Sequence, residues 1–121
     1  MVHIGCRRIK VIIKERRIKG VFEIHLNPYE DERGFFMRVY DDIIFKKYKI
    51  HKKWVQENHS LSVEKGVIRG MHFQLPPHSE AKLIRVTNGE IYDVFIDLRK
   101  DSPTFGQWNS INLSADNKKM I

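Results

Sequence analysis

The 121-residue chain has a single cysteine and lacks any long hydrophobic run. Cys6 has no partner within the chain, so an internal disulfide is excluded and a cytoplasmic location is expected. The longest apolar run near the start, Val11-Ile12-Ile13, is too short for a signal sequence or a membrane span, and no membrane partner is expected. The sequence also lacks a P-loop, a dinucleotide fingerprint and a Ser-His-Asp arrangement, which argues against those classes of enzyme.

The positive charge is concentrated at one end of the chain. The formal net charge is +7, and residues 1–20 hold seven lysines and arginines against one glutamate, so the remainder is close to neutral. A basic arm of this kind can bind nucleic acid or an acidic membrane. A solvated, lysine-rich pair of strands explains the same residues, and neither a zinc spacing nor an RNA-binding aromatic motif is present. We therefore expect no nucleic-acid partner.

Short runs of β-branched and aromatic residues, separated by glycine, proline and asparagine, predict a chain made mostly of strands. One short helix is predicted over 41–48, with Asp41 or Asp42 as its N-cap. Loops are expected over 27–34 and 75–80, and Asn88-Gly89 predicts a hairpin that joins 81–87 to 90–98. Helical crossovers are absent, so the pattern favours a β-sandwich or small barrel over a parallel α/β fold. The predicted strands are 11–14, 21–26, 35–40, 54–60, 66–74, 81–87, 90–98 and 109–113.

Three side chains with complementary chemistry follow one another closely in residues 66–83. His72 can take and hold a proton near neutral pH, and Arg69 has a planar fork of donors that suits phosphate. Lys82 begins the next predicted strand, where an ammonium could stabilise a developing enolate. A surface histidine, a surface ion pair and a solvated lysine are the simpler explanations. Strand alternation points Arg69 and His72 to opposite faces, so a shared site requires a β-bulge, which we predict at Gly70.

Further polar and aromatic groups are candidates for binding. Gln56 and Asn58 share one face of a predicted strand and could hydrogen-bond a substrate, although a polar outer face explains them equally well. Arg33 stands beside Phe35 and Phe36, a combination that fits a phosphate and a stacked base, or else a core aromatic pair after a tight turn. Three aspartates are candidate partners for these cations or for turn amides: Asp31, Asp93 and Asp97.

A metal site is the competing interpretation of the histidine. The layout of a cupin metal motif is present at Gly66, His72 and Gln74, with five residues between the first two and one residue between the last two. Gln74, however, stands where a second histidine belongs. An amide is a poor replacement for a first-row metal ligand, although His78 and Glu80 on the following loop could substitute. We predict no metal site.

These motifs give the chain a close resemblance to the dTDP-4-dehydrorhamnose 3,5-epimerase (RmlC-like) family of metal-free cupins. The matching segments occur in family order from about Gly20 onward. They are 31–36 (DERGFF), 55–60 (VQENHS), 66–74 (GVIRGMHFQ), 82–83 (KL), 89–94 (GEIYDV) and 97–108 (DLRKDSPTFGQW). No single motif has the specificity of this series.

The resemblance implies an all-β cupin jelly roll, a homodimer, and an isomerase acting on a dTDP-linked 4-keto-6-deoxy sugar in deoxysugar biosynthesis. His72 matches the family's general base, and Lys82 matches the lysine that stabilises the enolate oxygen. The positions that match substrate-binding residues are Arg33, Phe36, Gln56, Asn58 and Arg69. The family needs no cofactor, because removing and returning a proton is redox-neutral. Family dimers pair near the N-terminus, so residues 11–26 are the expected contact.

Two departures from the family pattern keep alternatives open. Arg38 stands where the family usually has a glutamate, which reverses a charge beside the expected nucleotide. The family also continues with an acid tyrosine and a base-orienting aspartate, beyond the position of Ile121. We therefore expect one cupin domain over 1–121, with 1–20 as a basic arm and the C-terminal part of the family domain missing. A non-catalytic nucleotide-sugar-binding or dimerisation module, a 5-epimerase and a ketoisomerase remain alternatives.

Overall fold

The computed structural model describes residues 11–121, so Cys6 and the first half of the predicted basic arm lie outside the described residues. Alternation of apolar and polar residues produces short strands, and the prediction of an all-β chain is confirmed. No helix in the described part of the chain is long and apolar enough to cross a bilayer. The elements are β1 (Ile12–Glu15), β2 (Phe22–His25), β3 (Tyr29–Asp31), β4 (Gly34–Phe36), α1 (Asp42–Lys47), β5 (Glu90–Ile96), β6 (Trp108–Ser114) and β7 (Lys119–Met120).

The first sheet has the order β1-β2-β7 and covers the main core. Ile13 pairs with Ile24 and Ile24 pairs with Met120, so the inward residues of all three antiparallel strands stand side by side. These residues are almost fully buried, together with Leu26 and Phe45. The predictions of strands over 11–14 and 21–26 are confirmed to within a residue at either end.

The second sheet pairs β5 with β6 over seven residues each. Inward-facing Ile111 and Leu113 are buried on β6, while most of β5 is exposed. The strands predicted over 90–98 and 109–113 are confirmed as β5 and β6, with their ends shifted by up to two residues. The predicted hairpin of 81–87 with 90–98 is wrong. Residues near 84 instead join the first sheet, because Ile84 and Ile121 exchange backbone hydrogen bonds of 2.8 and 3.1 Å.

The helix prediction is confirmed, since α1 begins after Asp41, which caps it. The Asp41 carboxylate accepts hydrogen bonds of 3.1 Å from the backbone N–H groups of Ile43 and Ile44. Phe45 inserts into the core and meets Tyr40 edge-on at a centroid distance of 4.7 Å. The short hairpin β3–β4 occupies a stretch predicted to be mainly loop, and the strand predicted over 35–40 ends at Phe36.

Residues 51–82 contain neither helix nor strand, so the strands predicted over 54–60 and 66–74 are wrong. A strand needs backbone partners on a neighbouring strand, and no segment within 11–121 pairs with these two stretches. The predicted bulge at Gly70 is wrong for the same reason, because a bulge exists only within a ladder. Within the described residues, both stretches lack the hydrogen-bonded neighbour that a strand requires.

Candidate functional site

The β3–β4 hairpin presents Arg33 and Phe36 on its exposed surface. Asp31 accepts a hydrogen bond from the Arg33 backbone N–H at 2.9 Å and another from Nη2 at 2.6 Å, so one carboxylate fixes both the turn and the guanidinium. The Arg33 guanidinium holds the pKa of Asp31 below its usual value. Gly34 follows with a φ of +125°, a backbone conformation that a side chain would strain. Arg33 remains mostly exposed and available to an anion.

Two aromatic rings share one face of this hairpin. Tyr29 pairs with Phe36 across the ladder, so both side chains lie on the same side, and both are about half exposed or more. Phe35 lies on the opposite face, where the ammonium of Lys118 stands 4.6 Å from its ring centroid. The hairpin therefore presents an open aromatic face next to a fixed cation, which can stack a base and bind a phosphate.

Arg38, which replaces the glutamate expected from the family pattern, is held by a neighbouring carboxylate. Its Nη1 donates to Oδ2 of Asp41 at 2.8 Å, while Oδ1 of the same aspartate caps α1. The backbone N–H of Ile44, together with the Arg38 charge, lowers the pKa of Asp41. The cation is therefore tied to the start of the helix.

Five of the seven predicted site residues lie on the stretch without strands, residues 51–82: Gln56, Asn58, Arg69, His72 and Lys82. Gln56, Asn58, Arg69 and His72 are all exposed. Arg69 makes only long contacts, from Nε to Ser62 Oγ at 3.4 Å and from Nη2 to the Leu61 carbonyl at 3.5 Å. Within residues 11–121, no hydrogen bond or ion pair joins His72 to Arg69. The structure thus brings Arg33 and Phe36 together on one hairpin but does not assemble all seven predicted residues.

Gly70 lies between Arg69 and His72 with a φ of +114°, a region that L side chains rarely adopt. A side chain there would also stand 3.8 Å from Nδ1 of His72, within ordinary contact distance. Backbone strain, more than crowding, therefore requires glycine at this position.

Lys82 is paired with a carboxylate. Its Nζ is 3.0 Å from Oε1 of Glu80 on the preceding loop. On β5, burial raises the pKa of Asp93, and the positive charge of Lys82 opposes this rise without reversing it. In the sequence, Asp93 was one of three candidate partners for the cations or for turn amides.

Asp97 organises the loop between β5 and β6. It is 4% exposed and accepts from Nε and Nη2 of Arg99, both at 2.8 Å, and from the hydroxyls of Ser102 and Thr104 at 2.6 and 2.7 Å. The Arg99 guanidinium and then the two hydroxyls hold the pKa of Asp97 far below its usual range. The spacing Asp-x-Arg-x-x-Ser-x-Thr supplies donors that converge on one acceptor, and this fixes the turn that brings β6 back alongside β5.

No group of three histidine, cysteine or acidic side chains suited to a metal ion occurs in the part of the chain that the structure describes. The lysine and the histidine of the predicted site are separated by the loop that contains Pro76, Pro77 and His78. Glu80, a candidate metal ligand in the sequence, is paired with Lys82.

Comparison with known proteins identifies the family to which these motifs belong. A family model described as dTDP-4-dehydrorhamnose 3,5-epimerase matches residues 15–121. An enzyme of that name from Shigella flexneri is 49% identical over 94 residues, which are 77% of this chain and 51% of the relative. One from Salmonella typhimurium is 43% identical over 112 residues, covering 92% of this chain and 61% of the relative. The chain thus spans about half to three-fifths of the length of these relatives.

Solved structures give the same result. The dTDP-4-dehydrorhamnose 3,5-epimerase of Bacillus anthracis, with TDP and PPi bound, superposes with a TM-score of 0.88 at 41% identity, over 92% of this chain and 63% of that one. An epimerase of Legionella pneumophila, in complex with dTDP-4-keto-L-rhamnose, gives a TM-score of 0.84 at 38% identity, over 92% of this chain and 58% of that one. The predictions of family resemblance and of a cupin jelly-roll fold are confirmed.

Proposed function

The chain belongs to the dTDP-4-dehydrorhamnose 3,5-epimerase family, and we propose that the protein is an epimerase of a dTDP-linked 4-keto-6-deoxy sugar in deoxysugar biosynthesis. The observation that carries this proposal is the match of the family model to almost the whole described chain, residues 15–121. Two structural neighbours, with TDP and PPi and with dTDP-4-keto-L-rhamnose bound, supply the chemical class of the ligand.

The reaction is removal and return of a proton beside a ketone. The C4 carbonyl acidifies the protons on C3 and C5, because the resulting carbanion delocalises onto the carbonyl oxygen. His72 is the proposed base, since an imidazole accepts a proton near neutral pH and can hold it until it is replaced. Lys82 is the proposed electrostatic partner of the enolate oxygen, where a fixed ammonium favours the charged intermediate over the neutral ketone. No cofactor is part of this proposal, because no electrons are gained or lost.

The nucleotide half of the substrate is assigned to the β3–β4 hairpin. Phe36 offers an exposed ring for the base, and Arg33, oriented by Asp31, offers a cation for the diphosphate. Arg69, Gln56 and Asn58 are exposed and are proposed to bind the remaining phosphate and sugar oxygens. Arg38 is paired with Asp41 at 2.8 Å, so its positive charge beside this region is partly balanced.

We include a homodimer of single cupin domains in the cytoplasm in the same proposal. Apolar side chains on residues 51–82 are unusually exposed, including Val55 at 80%, Ile68 at 92% and Phe73 at 64%. Such a surface is costly in water and is a candidate for covering by other protein. The β1–β2 hairpin, expected as the dimer contact, presents Ile12 at 51% exposure on a strand that lies at the edge of its sheet among residues 11–121.

The test is an incubation of the intact gene product with dTDP-4-keto-6-deoxyglucose in deuterated water, followed by NMR of the sugar. Deuterium at both C3 and C5 is the result expected of a 3,5-epimerase. Deuterium at C5 alone would replace the assignment by a 5-epimerase, and migration of the ketone would replace it by a ketoisomerase. Absence of exchange at both carbons would contradict the proposed reaction.

A non-catalytic nucleotide-sugar-binding module is the second candidate. It is favoured by one observation, that the hairpin with Arg33 and Phe36 is formed within residues 11–121 whereas His72 and Lys82 are not joined by any hydrogen bond or ion pair there. Calorimetry with dTDP separates the candidates when combined with the exchange experiment. Binding without exchange favours the module, and exchange with binding favours the epimerase.

A further inference from the structure

An open pocket lies between the turn that joins β1 to β2 and the loop that joins β5 to β6. Its volume is about 340 Å³, and the residues that line it are Lys19, Arg99, Lys100, Asp101, Ser102 and Pro103. Three of these side chains are cations and one is an acid, so positive charge predominates. None of them is assigned to the substrate, so the pocket is separate from the residues proposed to carry the reaction.

The turn that carries Lys19 is held in place at several points. Ile18 is 2% exposed and anchors the turn in the protein interior. The backbone N–H of Gly20 donates to the Glu15 carboxylate at 2.9 Å. The backbone N–H of Val21 donates to the Ile18 carbonyl at 3.1 Å. Lys19 itself is exposed, so a flexible cationic side chain projects from a fixed backbone.

On the other side of the pocket, Arg99 is fixed by a buried partner. Its Nε and Nη2 donate to the two carboxylate oxygens of Asp97, both at 2.8 Å, and Asp97 is 4% exposed. Nη1 makes no hydrogen bond within residues 11–121. A β-carbon placed on Gly20 would stand 3.6 Å from this nitrogen, so the turn and the guanidinium are close neighbours. A preorganised guanidinium thus keeps one nitrogen for an anion, while Asp97 balances part of its charge.

The two lysines of the pocket supply positive charge that no carboxylate balances directly. Lys19 and Lys100 are both exposed. Among residues 11–121, neither lysine forms an ion pair, and none joins them to Asp101. A phosphate group suits such a place, because a guanidinium can donate to two of its oxygens and an ammonium acts as a mobile point charge. An anion that enters the pocket also relieves the repulsion among the three cations.

We propose that this pocket is a binding site for a small phosphate anion, held by Lys19, Arg99 and Lys100. The proposal gives one cation of the basic arm a ligand, and it does not depend on the epimerase assignment. A volume of about 340 Å³ is at the lower end for ligand sites, which favours a phosphate or diphosphate group over an extended nucleic acid. Because the three cations are exposed, binding should be weak and should weaken further with salt.

The site is tested by titrating the isotopically labelled intact gene product with inorganic diphosphate at constant ionic strength, followed by NMR. The amides of Gly20 and Lys100 and the Nε–H of Arg99 report on the pocket, and the Nε–H of Arg33 reports on the β3–β4 hairpin. Saturable shifts of the pocket signals are expected. Shifts confined to the hairpin signal, or shifts that do not saturate and spread over surface lysines, would overturn the proposal.

A double variant, Lys19→Gln with Lys100→Gln, removes two of the three cations and leaves the guanidinium in place. Each exposed charge should contribute about two- to fivefold, so the double variant should raise the Kd for diphosphate by about 4- to 25-fold. The matched control is Lys14→Gln with Lys47→Gln, since both lysines are exposed, lie outside the pocket and remove the same charge. Equal weakening by the two double variants would show that only net charge matters and would overturn the site.

A single-stranded oligonucleotide distinguishes a small anion from a polyanion as the ligand. At equal phosphate concentration and ionic strength, it should bind no more tightly than diphosphate, because the pocket accepts one phosphate group at a time. Much tighter binding of the oligonucleotide, with shifts along β1 as well as in the pocket, would overturn the proposal in favour of a nucleic-acid surface.

Discussion

Phe36→Ala should weaken dTDP binding while leaving the fold intact. The Phe36 ring is 63% exposed on β4, shares a face with Tyr29 and is absent from the core cluster. Its removal therefore creates no cavity, and the expected loss is confined to ligand stacking. A matched control exists one residue away, because Phe35 is 55% exposed on the opposite face of the same strand.

The magnitude follows from base stacking. An aromatic side chain that stacks on a base contributes about 1–3 kcal/mol by alanine substitution. Since about 1.4 kcal/mol is tenfold in an equilibrium constant, Phe36→Ala should raise Kd by about 5- to 140-fold. Phe35→Ala should change Kd by less than about twofold, because its ring faces Lys118 rather than the proposed base.

Calorimetric titration with dTDP measures both variants under the same conditions, with circular dichroism to establish that each is folded. Phe36→Trp is a useful third variant, since a larger ring should retain the stacking. Equal weakening of dTDP binding by Phe35→Ala and Phe36→Ala would contradict stacking on Phe36, because it would show that the two faces of the hairpin are equivalent for the ligand.

Three further results are expected. Lys82→Met should lower kcat about 10²- to 10³-fold in a steady-state assay, because the enolate loses its electrostatic partner; unchanged kcat would remove Lys82 from the reaction. Phe45→Ala should lower the free energy of unfolding by about 3–5 kcal/mol in a urea titration, because a ring that is 1% exposed is deleted. A loss below about 1 kcal/mol would contradict the burial of Phe45 in the main core. Asp97 has a pKa held below its unfolded value by Arg99, so its stabilising contribution is present above about pH 4 and is lost as pH falls. Asp97→Asn should therefore show a smaller loss of stability than the parent between pH 6 and pH 3, and identical pH profiles would contradict this assignment.

The sequence predicted the parts of the fold that depend on local patterns. The cap at Asp41 with apolar residues at helical spacing is sufficient to locate α1, and the β-branched runs locate β1 and β2. Asn88-Gly89 marked the start of β5 correctly, but its partner is β6 and not the preceding stretch. Pairing depends on the whole sheet, since Asp97 folds the following loop so that β6 returns alongside β5.

In residues 51–82, local sequence patterns predicted strands that do not form. The sequence predicted strands over 54–60, where residues alternate, and over 66–74, yet neither stretch forms a ladder because neither has a neighbouring strand within 11–121. The family motifs located the candidate residues, but their mutual geometry depends on long-range pairing. The pairing of Lys82 with Glu80, two residues away on the preceding loop, was likewise not among the predictions.

The proposed reaction depends on the assignment of His72 as the base that removes the protons on C3 and C5. Its most direct test is the deuterium exchange experiment on the intact gene product, its His72→Ala variant, and His78→Ala as a control histidine on the neighbouring loop. The assignment of His72 as the base predicts deuterium incorporation at both carbons by the parent and by His78→Ala, and none above background by His72→Ala. Exchange retained by a folded His72→Ala protein would contradict it.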